Sequence, residues 1–348
     1  MKAAVFKEAR TFEVVEIPVP KPNDDEILLK VDYCGICGSD LHTYTKGLYV
    51  NPGQIMGHEF AGVVKEIGAN VTGINKEDRV VIRPLIECGK CTHCISGRPH
   101  LCEDGLVDGL AYGRPGAFAE YIIVPKPLLG KVVHHLPDNV STKEAALIEP
   151  MAVALHAVNL AQISLNDRVV VFGAGTIGLL VSQILKTIGN CHVIQVDLSD
   201  KRLETARKLG VDTTINPKHE DVMQRITEIT GTGNYGVGAA ADIVFECAGV
   251  PITVNQAFEA VRHGGQIISL ALFEENVSFD PTALVQKEIA WKGSFAYVDE
   301  FPTAIELISS GKVNVKELIS HLYSLDEVSD AFEKQLNASE SVKVVFQL

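Results

Sequence analysis

The sequence lacks the features that would direct the protein to a membrane or to a nucleic acid. No apolar run approaches the roughly 20 residues that a transmembrane helix requires. The N-terminal residues Met1 to Phe6 are too few and too mixed for a signal peptide. Basic residues are scarce: 31 Lys and Arg stand against 44 Asp and Glu, and the net charge is −13. Because such a surface repels phosphate backbones, we expect no nucleic-acid partner. Without an apolar span or a signal peptide, we expect a cytoplasmic protein with no membrane association.

The sequence also contains no solenoid-type repeat and no low-complexity tract. Its 348 residues, of which 46% are hydrophobic and 22% are charged, therefore have the composition of ordinary globular domains. A chain of this length exceeds what one hydrophobic core usually serves, which predicts two domains.

The hydropathy pattern changes near the middle of the chain. The first part contains short strand-like runs separated by Gly, Pro, Asn and Asp, at 26–31, 62–67, 79–82 and 118–124, and helical spacing follows at 142–161. From residue 168, apolar strands at 168–172, 193–196, 241–245 and 266–270 alternate with helical stretches at 176–188, 200–209 and 252–261. Because strands that alternate with helices form parallel sheets, this part predicts a doubly wound α/β sheet. A shorter, mixed pattern follows residue 290 and ends in a strand-like run at 342–346.

A glycine motif follows the first of these apolar strands and opens the next helix. Gly173, Gly175 and Gly178 form G-x-G-x-x-G, in which a tight turn and a helix N-terminus bind a pyrophosphate. The first glycine permits the turn, the second lets the backbone approach the pyrophosphate, and the third allows close packing of helix and strand. We therefore predict a dinucleotide site that includes these glycines, Thr176 and Ile177. A strand–turn–helix junction without a cofactor is the alternative.

An acidic residue supports the dinucleotide interpretation. Asp197 ends the next strand, 19 residues after Gly178. A carboxylate at this position accepts hydrogen bonds from the adenosine ribose and repels a 2′-phosphate, which favours NAD over NADP. Arg202 leaves an alternative open, because an arginine here can also bind that phosphate; otherwise it packs along the adenine or lies in solvent.

Four of the eight cysteines fall within fifteen residues. The spacing C-x2-C-x2-C-x7-C is formed by Cys88, Cys91, Cys94 and Cys102. Four thiolates on one short loop close a tetrahedral shell, so we predict a structural zinc that folds this lobe and activates no water. A zinc ribbon that binds nucleic acid is disfavoured by the acidic charge. His93 and His100 lie between these cysteines, and we interpret them as surface residues.

A second group of donor residues is spread over the first 150 positions. It consists of Cys37, Gly57-His58-Glu59 and Glu149-Pro150, and the run from Cys37 to His42 includes Ser39 and Asp40. Together with the glycine motif, Asp197 and the four-cysteine loop, this group makes the chain resemble the zinc-containing medium-chain dehydrogenase/reductase superfamily. The resemblance covers essentially the whole chain and is strongest to the polyol dehydrogenase branch, which includes sorbitol and L-iditol dehydrogenases.

The resemblance implies that Cys37, His58 and Glu149 bind a catalytic zinc. A thiolate, an imidazole and a carboxylate leave the fourth position of such an ion free for water or substrate. The role of Glu59 stays open among three alternatives: direct binding to the zinc, exchange with a water ligand, or support of the zinc ligands without contact to the ion. Cys34 forms C-x-x-C with Cys37, which also occurs in redox pairs, but the resemblance makes Cys34 a buried structural thiol.

The resemblance also implies a proton path. Ser39 contacts the substrate oxygen and passes its proton through the nicotinamide ribose to His42, while a hydride leaves for the nicotinamide. Asp40 is expected to support a zinc ligand through hydrogen bonds. Spacing does not select the remaining pocket residues, for which the candidates are Tyr44, Tyr112, Glu120 and Lys287, with Phe118 and Phe295 added by the resemblance.

The resemblance implies an α/β fold of two domains with the active site in the cleft between them. A GroES-like β-barrel catalytic domain is expected over 1–150 and 290–348, and a Rossmann nucleotide-binding domain over 151–289. We expect a zinc- and NAD-dependent dehydrogenase that acts on a polyol or another secondary alcohol. Association as a homotetramer or a homodimer is expected from the resemblance alone.

Several related activities remain open at this point. They are L-threonine 3-dehydrogenase, 2,3-butanediol dehydrogenase and polyol-phosphate dehydrogenase; the run from Glu149 to His156 favours the polyol and butanediol members. A non-catalytic protein that binds NAD and zinc is disfavoured, because every member of the zinc and relay sets is present. A zinc-free reductase of the same fold is disfavoured, because such chains lack Cys37, His58 and the four-cysteine loop.

Overall fold

The computed structural model describes residues 1–236 and 238–348. Within these ranges the strands are β1 (Lys2–Glu8), β2 (Thr11–Glu16), β3 (Glu26–Gly35), β4 (Glu59–Ile67), β5 (Arg79–Ile82), β6 (Tyr121–Pro125), β7 (Val133–His135), β8 (Arg168–Phe172), β9 (His192–Val196), β10 (Thr213–Ile215), β11 (Ala241–Glu246), β12 (Val261–Ser269), β13 (Ala290–Gly293), β14 (Ile319–Tyr323) and β15 (Lys343–Gln347).

The helices alternate with these strands over most of the chain. They are α1 (Gly38–Lys46), α2 (Thr92–Ile95), α3 (Thr142–Ala145), α4 (Ile148–Leu160), α5 (Thr176–Ile188), α6 (Asp200–Lys208), α7 (Val222–Thr230), α8 (Pro251–Ala260), α9 (Pro281–Gln286), α10 (Phe301–Ser309) and α11 (Val328–Leu336). Across the two described ranges, no helix combines the length and the apolarity that a bilayer span needs.

Strands β8 to β13 form a parallel sheet in the order β10-β9-β8-β11-β12-β13. The central strand β8 is apolar without alternation because both of its faces are buried. Val169 and Val171 pack in one cluster together with α5, whereas Val170 and Phe172 pack in another together with α8. The predicted doubly wound sheet is thus confirmed. Its strand order reverses between β8 and β11, and sheets of this kind bind ligands at the carboxyl end of the strands at such a reversal.

The N-terminal and C-terminal parts of the chain share a second sheet. Its strand order is β14-β15-β3-β4-β5-β7, and β6 pairs with β3 on the side. The C-terminal strand β15 runs antiparallel to β3, with Phe346 opposite Cys34. β4 is also antiparallel to β3, with Gly35 opposite Glu59. The end of the chain therefore lies beside the segment that carries the predicted zinc ligands.

Two details differ from the sequence pattern. The stretch at 142–161 is two helices: Ser141 and Glu144 form a capping box that starts α3, and α4 begins after a turn at residues 146–147. Strand β13 pairs with β12, so the six-stranded sheet extends past the expected domain limit at residue 289. The domain limits themselves stay a prediction.

Helix α11 attaches the C-terminal segment to the N-terminal part of the fold. Phe332 is fully buried, and its ring centroid lies 4.8 Å from those of Phe12 and Tyr44 and 5.9 Å from that of Phe118. Aromatic pairs at such distances stabilise a fold beyond the area that they bury. Because Tyr44 belongs to α1, this packing also fixes the helix that carries Ser39 and His42.

Candidate active site

Cys37 lies at the N-terminus of α1, shortly after the end of β3. Its backbone N–H donates a hydrogen bond of 2.9 Å to Oδ2 of Asp40, which is buried. This bond fixes the turn between strand and helix, so Asp40 supports Cys37 through its backbone. Cysteine binds a metal as its thiolate.

Two further donors approach Cys37 at the start of β4. Cys37 Sγ, a ring nitrogen of His58 and a carboxylate oxygen of Glu59 lie within 4.8 Å of one another. His58 is 4% exposed, and its Nδ1 atom has no hydrogen-bond partner within the described ranges. Oδ1 of Asp40 is 3.7 Å from this nitrogen, which is too far for a hydrogen bond. A buried imidazole beside a thiol and a carboxylate offers the donor types that zinc binds.

Glu59 has a second partner that the sequence did not identify. Its carboxylate forms a buried ion pair with Lys343 of β15, whose Nζ also donates a hydrogen bond of 2.8 Å to the backbone oxygen of Ile36. Gly35 permits this contact, because a Cβ atom there would collide with the Glu59 carboxylate. The only available signal was a single lysine inside the apolar run at 342–346. Lys343 compensates the Glu59 charge, so Glu59 does not depend on a metal ion for its stability.

Glu149 approaches the same site from α4. It lies in the first turn of that helix and is buried, and it lines the same cavity as Cys37 and His58. It is not among the donors that lie within 4.8 Å of one another. Burial raises the pKa of Glu149 to about 7, and the neighbouring Glu59 carboxylate adds to this rise. A cation nearby would favour its ionised form, which is what a metal ligand requires.

A cavity of about 940 Å³ joins this cluster to the edge of the parallel sheet. One wall includes Cys37, Ser39 and His58, and the opposite wall includes Ile177 and the segment 269–272. Its volume is at the upper end of the range for ligand pockets and suffices for a nicotinamide ring together with a small substrate.

The two residues of the expected proton path both line this cavity. Ser39 Oγ lies 3.3 Å from the hydroxyl of Tyr112, and His42 Nδ1 lies 2.5 Å from Oε1 of Glu274. Burial raises the pKa of Tyr112 to about 12, so its hydroxyl keeps its proton at neutral pH. The order of proton transfer between these groups stays a prediction.

The remaining pocket candidates divide into two groups. Tyr112 and Phe295 line the cavity, as suggested. The other four do not line it. Tyr44 and Phe118 are buried in the hydrophobic core. Glu120 accepts a hydrogen bond from the backbone of Lys2, and Lys287 donates hydrogen bonds to the carbonyls of Phe258, Glu259 and Val261. These suggestions were wrong because residue type and spacing do not show which face of a strand or helix a side chain occupies.

The glycine motif has the geometry that a dinucleotide requires. Gly173 has φ of 93°, a left-handed conformation that favours glycine. A Cβ atom at Gly178 would collide with the backbone oxygen of Gly173, so helix α5 can pack this closely only with glycine. The backbone at Gly175 faces open space at the N-terminus of α5, with only Arg202 Nη1 nearby. Thr176 Oγ1 donates to the backbone oxygen of Val342.

Asp197 lies where the carboxylate was expected, at the end of β9. Its two oxygens accept hydrogen bonds from the backbone N–H groups of Ala174 and Ser199, over 2.6 and 2.7 Å. Arg202 does not lie in solvent. Its Nε donates a hydrogen bond of 2.9 Å to the backbone oxygen of Ser341, and burial lowers the pKa of its guanidinium. One guanidinium nitrogen lies near Gly175, and the Asp197 carboxylate is close enough to act on the Arg202 charge.

The four cysteines of the loop converge, as their spacing predicts. Cys91 and Cys94 have sulfurs 3.5 Å apart, and the Cys88–Cys94 and Cys91–Cys102 pairs are 4.0 and 3.9 Å apart. Sulfurs at zinc–thiolate distance around a tetrahedral ion stand about 3.8 Å apart, so the cage has the size that zinc requires. The backbone N–H of Cys94 lowers the pKa of Cys91 to about 6, which favours one thiolate even before a metal binds.

The histidines of this loop are not simple surface residues. His93 and His100 are both half-buried, and the Nδ1 atom of each is shielded from solvent. The ring of His100 packs 5.0 Å from that of His156, whose Nδ1 lies 2.9 Å from Oε1 of Glu300. The loop therefore docks against α4 through His100, and burial lowers the pKa of that histidine.

The closed cage predicts separable metal sites. We expect Cys94→Ser to lose about one zinc equivalent per chain and to expose the segment 88–113 to proteases, because the metal folds this lobe. Zinc content by plasma mass spectrometry and limited proteolysis measure both effects. The buried Cys191 is the matched control, and Cys191→Ser should keep full zinc content. An unchanged zinc content in Cys94→Ser would show that this loop is not a metal site.

Comparison with known proteins extends over the whole chain. Residues 23–138 match the family model "Alcohol dehydrogenase GroES-like domain", and residues 176–310 match "Zinc-binding dehydrogenase". The chain is 36% identical to the sorbitol dehydrogenase of Bacillus subtilis (strain 168), covering 99% of this chain and 96% of that protein. It is 35% identical to the D-arabitol-phosphate dehydrogenase of Enterococcus avium, with coverages of 96% and 93%.

Structural similarity is equally extensive. The crystal structure of 2R,3R-butanediol dehydrogenase from Bacillus subtilis has a TM-score of 0.88 and 32% sequence identity, covering 100% of this chain and 99% of that one. The predicted combination of a GroES-like domain with a Rossmann-type parallel sheet is confirmed.

Proposed function

The chain belongs to the polyol branch of the zinc-dependent medium-chain dehydrogenases, and from that premise we propose that it oxidises a secondary hydroxyl of an uncharged polyol or diol with NAD. The observation that carries this proposal is the cavity in which the donor cluster of Cys37, His58 and Glu59 faces the wall formed by Ile177 and the carboxyl edge of the parallel sheet. A hydride donor and a nicotinamide acceptor can meet in such a cleft.

We propose that Cys37, His58 and Glu149 bind the catalytic zinc. The imidazole of His58 beside the Cys37 thiol and the buried carboxylate of Glu149 both favour a cation at this position, whereas the charge of Glu59 is already compensated by Lys343. When bound, the ion acts as a Lewis acid toward the substrate hydroxyl. The protein side chains do the rest: Ser39 receives the hydroxyl proton, Tyr112 orients Ser39, and His42 takes the proton toward solvent.

The nucleotide wall favours NAD. Asp197 places a carboxylate at the end of β9, where it repels a 2′-phosphate. The guanidinium of Arg202 is fixed to the backbone of Ser341, and one of its nitrogens lies near Gly175, which supports a role for Arg202 at the pyrophosphate. Association as a homodimer or homotetramer is proposed on the resemblance alone.

The charge of the cavity narrows the substrate class. Among the described residues that line it, none is Lys or Arg, whereas Glu274 and Glu275 add negative charge to the wall. Apart from the proposed zinc, whose free position the reacting hydroxyl takes, a polyol phosphate or the carboxylate of threonine would find no opposite charge among these lining residues, and burying an unpaired anion costs several kcal/mol. An uncharged polyol or diol avoids this cost, and its hydroxyls have the Ser39 and Tyr112 hydroxyls as partners. The polyol-phosphate and threonine alternatives are therefore disfavoured, although a polyol-phosphate enzyme is among the relatives.

The first test removes the proposed zinc ligand. We expect Glu149→Ala to lose about one zinc equivalent and to lower kcat/KM about 10³-fold, since Lewis-acid stabilisation amounts to several kcal/mol. NADH affinity, measured by fluorescence titration, should stay within about threefold because the glycine motif is intact. Glu275→Gln removes a carboxylate from the same cavity and should keep the full zinc content. Full activity of Glu149→Ala would remove Glu149 from this role.

The second test addresses substrate charge. With NAD, we expect kcat/KM for the best of sorbitol, xylitol, L-iditol and 2,3-butanediol to exceed that for any matched polyol phosphate or for L-threonine by at least about 100-fold, which corresponds to about 3 kcal/mol of unpaired charge. The measurement is NADH formation across the panel at one pH and ionic strength. A polyol phosphate as the best substrate would contradict the charge argument.

A further inference from the structure

The expected proton acceptor His42 has a partner on the other side of the cleft, and no assigned role covers this contact. We propose that Glu274 is a positioning residue for His42: it bridges the cleft and fixes the imidazole in the tautomer whose Nε2 atom is free to accept a proton. The proposal rests on the proposed dehydrogenase function and adds a residue to its proton path.

The contact joins two parts of the fold that are far apart in sequence. His42 belongs to α1, which follows β3 of the first sheet, whereas Glu274 follows β12 of the parallel sheet. His42 Nδ1 lies 2.5 Å from Oε1 of Glu274, and Nζ of Lys46 lies 2.5 Å from Oε2 of the same carboxylate. His42 and Lys46 are one turn apart on α1, so one face of this helix contacts both carboxylate oxygens of Glu274.

This arrangement differs from an ordinary surface ion pair. The His42 side chain is 19% exposed, those of Glu274 and Lys46 are 35% and 44% exposed, and His42 and Glu274 both line the cavity. An isolated surface pair leaves its side chains mobile and contributes little. Here each carboxylate oxygen has its own partner, which fixes the carboxylate plane and with it the imidazole ring.

The protonation of the carboxylate decides which nitrogen of His42 carries hydrogen. Hydrogen bonds from Lys46 and His42 hold the pKa of Glu274 below its usual range, so it is ionised at neutral pH. An ionised carboxylate accepts hydrogen bonds and donates none. Nδ1 of His42 must therefore be the donor, which leaves Nε2 as the unprotonated acceptor.

This tautomer completes the proton path without a further reactant. With NAD bound, a proton that leaves the substrate hydroxyl by way of Ser39 would be taken by the lone pair of Nε2. The resulting imidazolium is stabilised by the charge of Glu274, and it returns to the neutral tautomer by losing one proton to solvent. The sequence signal for Glu274 was an acidic pair that begins four residues after the apolar run at 266–270, near the carboxyl edge where such sheets place their functional groups.

The test uses the full-length, zinc-loaded protein and two independent measurements. In ¹⁵N NMR spectra of the histidine side chains, His42 of the unaltered protein should be protonated at Nδ1, and Glu274→Ala should lose this preference. In turnover with NAD and the best alcohol, Glu274→Ala should lower kcat about 10- to 100-fold. KM and the NADH dissociation constant should change less than about threefold, and Glu274→Asp should recover part of kcat. The charge-matched control is Glu228→Gln, which removes an exposed carboxylate paired with Arg225 outside the cavity and should change neither measurement.

Three results would overturn the proposal. The first is protonation of His42 at Nε2 in the unaltered protein, and the second is an unchanged tautomer in Glu274→Ala. The third is a Glu274→Ala variant whose KM and NADH affinity weaken while kcat is kept, because Glu274 would then only hold the cleft closed. If the unaltered protein oxidises no alcohol of the panel, the proposed function fails, whereas the NMR measurement still decides whether Glu274 positions His42.

Discussion

The site depends on charge that the fold buries without enough opposite charge from its own side chains. Asp40, Glu59 and Glu149 are each less than 10% exposed, Cys37 lies among them, and Lys343 is the one buried cation in contact with this group within the described ranges. Buried anions are costly unless a cation or several hydrogen bonds compensate them. Lys343 compensates Glu59 and a backbone N–H compensates Asp40, so Cys37, His58 and Glu149 remain for an added cation. This imbalance favours the metal ion proposed for the cleft, and that ion would also supply the Lewis acid for the reaction.

The register of paired strands and the N-termini of helices place these side chains in the site. Antiparallel pairing sets Gly35 of β3 opposite Glu59 of β4, and the turn into α1 then brings Cys37 beside His58. The parallel sheet contributes the opposite wall, because the strand order reverses at β8, next to the glycine turn. The C-terminal strand β15 contributes Lys343, which forms the ion pair with Glu59. Each wall thus comes from a different sheet, and the reacting groups meet only in the cleft.

Much of the site could be predicted from the local spacing of residues in the sequence. The glycine motif and the four-cysteine loop are defined within ten to fifteen residues, so sequence alone gave both their chemistry and their geometry. Contacts between distant segments were not predictable in the same way. Lys343 lies 284 residues after Glu59, and Glu274 lies 232 residues after His42, so no spacing rule connects them. Glu120 and Lys287 were nominated as polar pocket residues, yet the fold uses them to bind backbone groups elsewhere.

The proposed mechanism requires one ion in the cleft that is held by three side chains and keeps a free position facing Ser39. Anomalous X-ray scattering above and below the zinc absorption edge, from crystals of the zinc-loaded protein, locates such an ion directly. We expect two peaks per chain: one among the four cysteines, and one about 2.3 Å from Cys37 Sγ and about 2.1 Å from His58 and Glu149. A peak only among the four cysteines would contradict it, as would a second ion whose four positions are all filled by protein side chains.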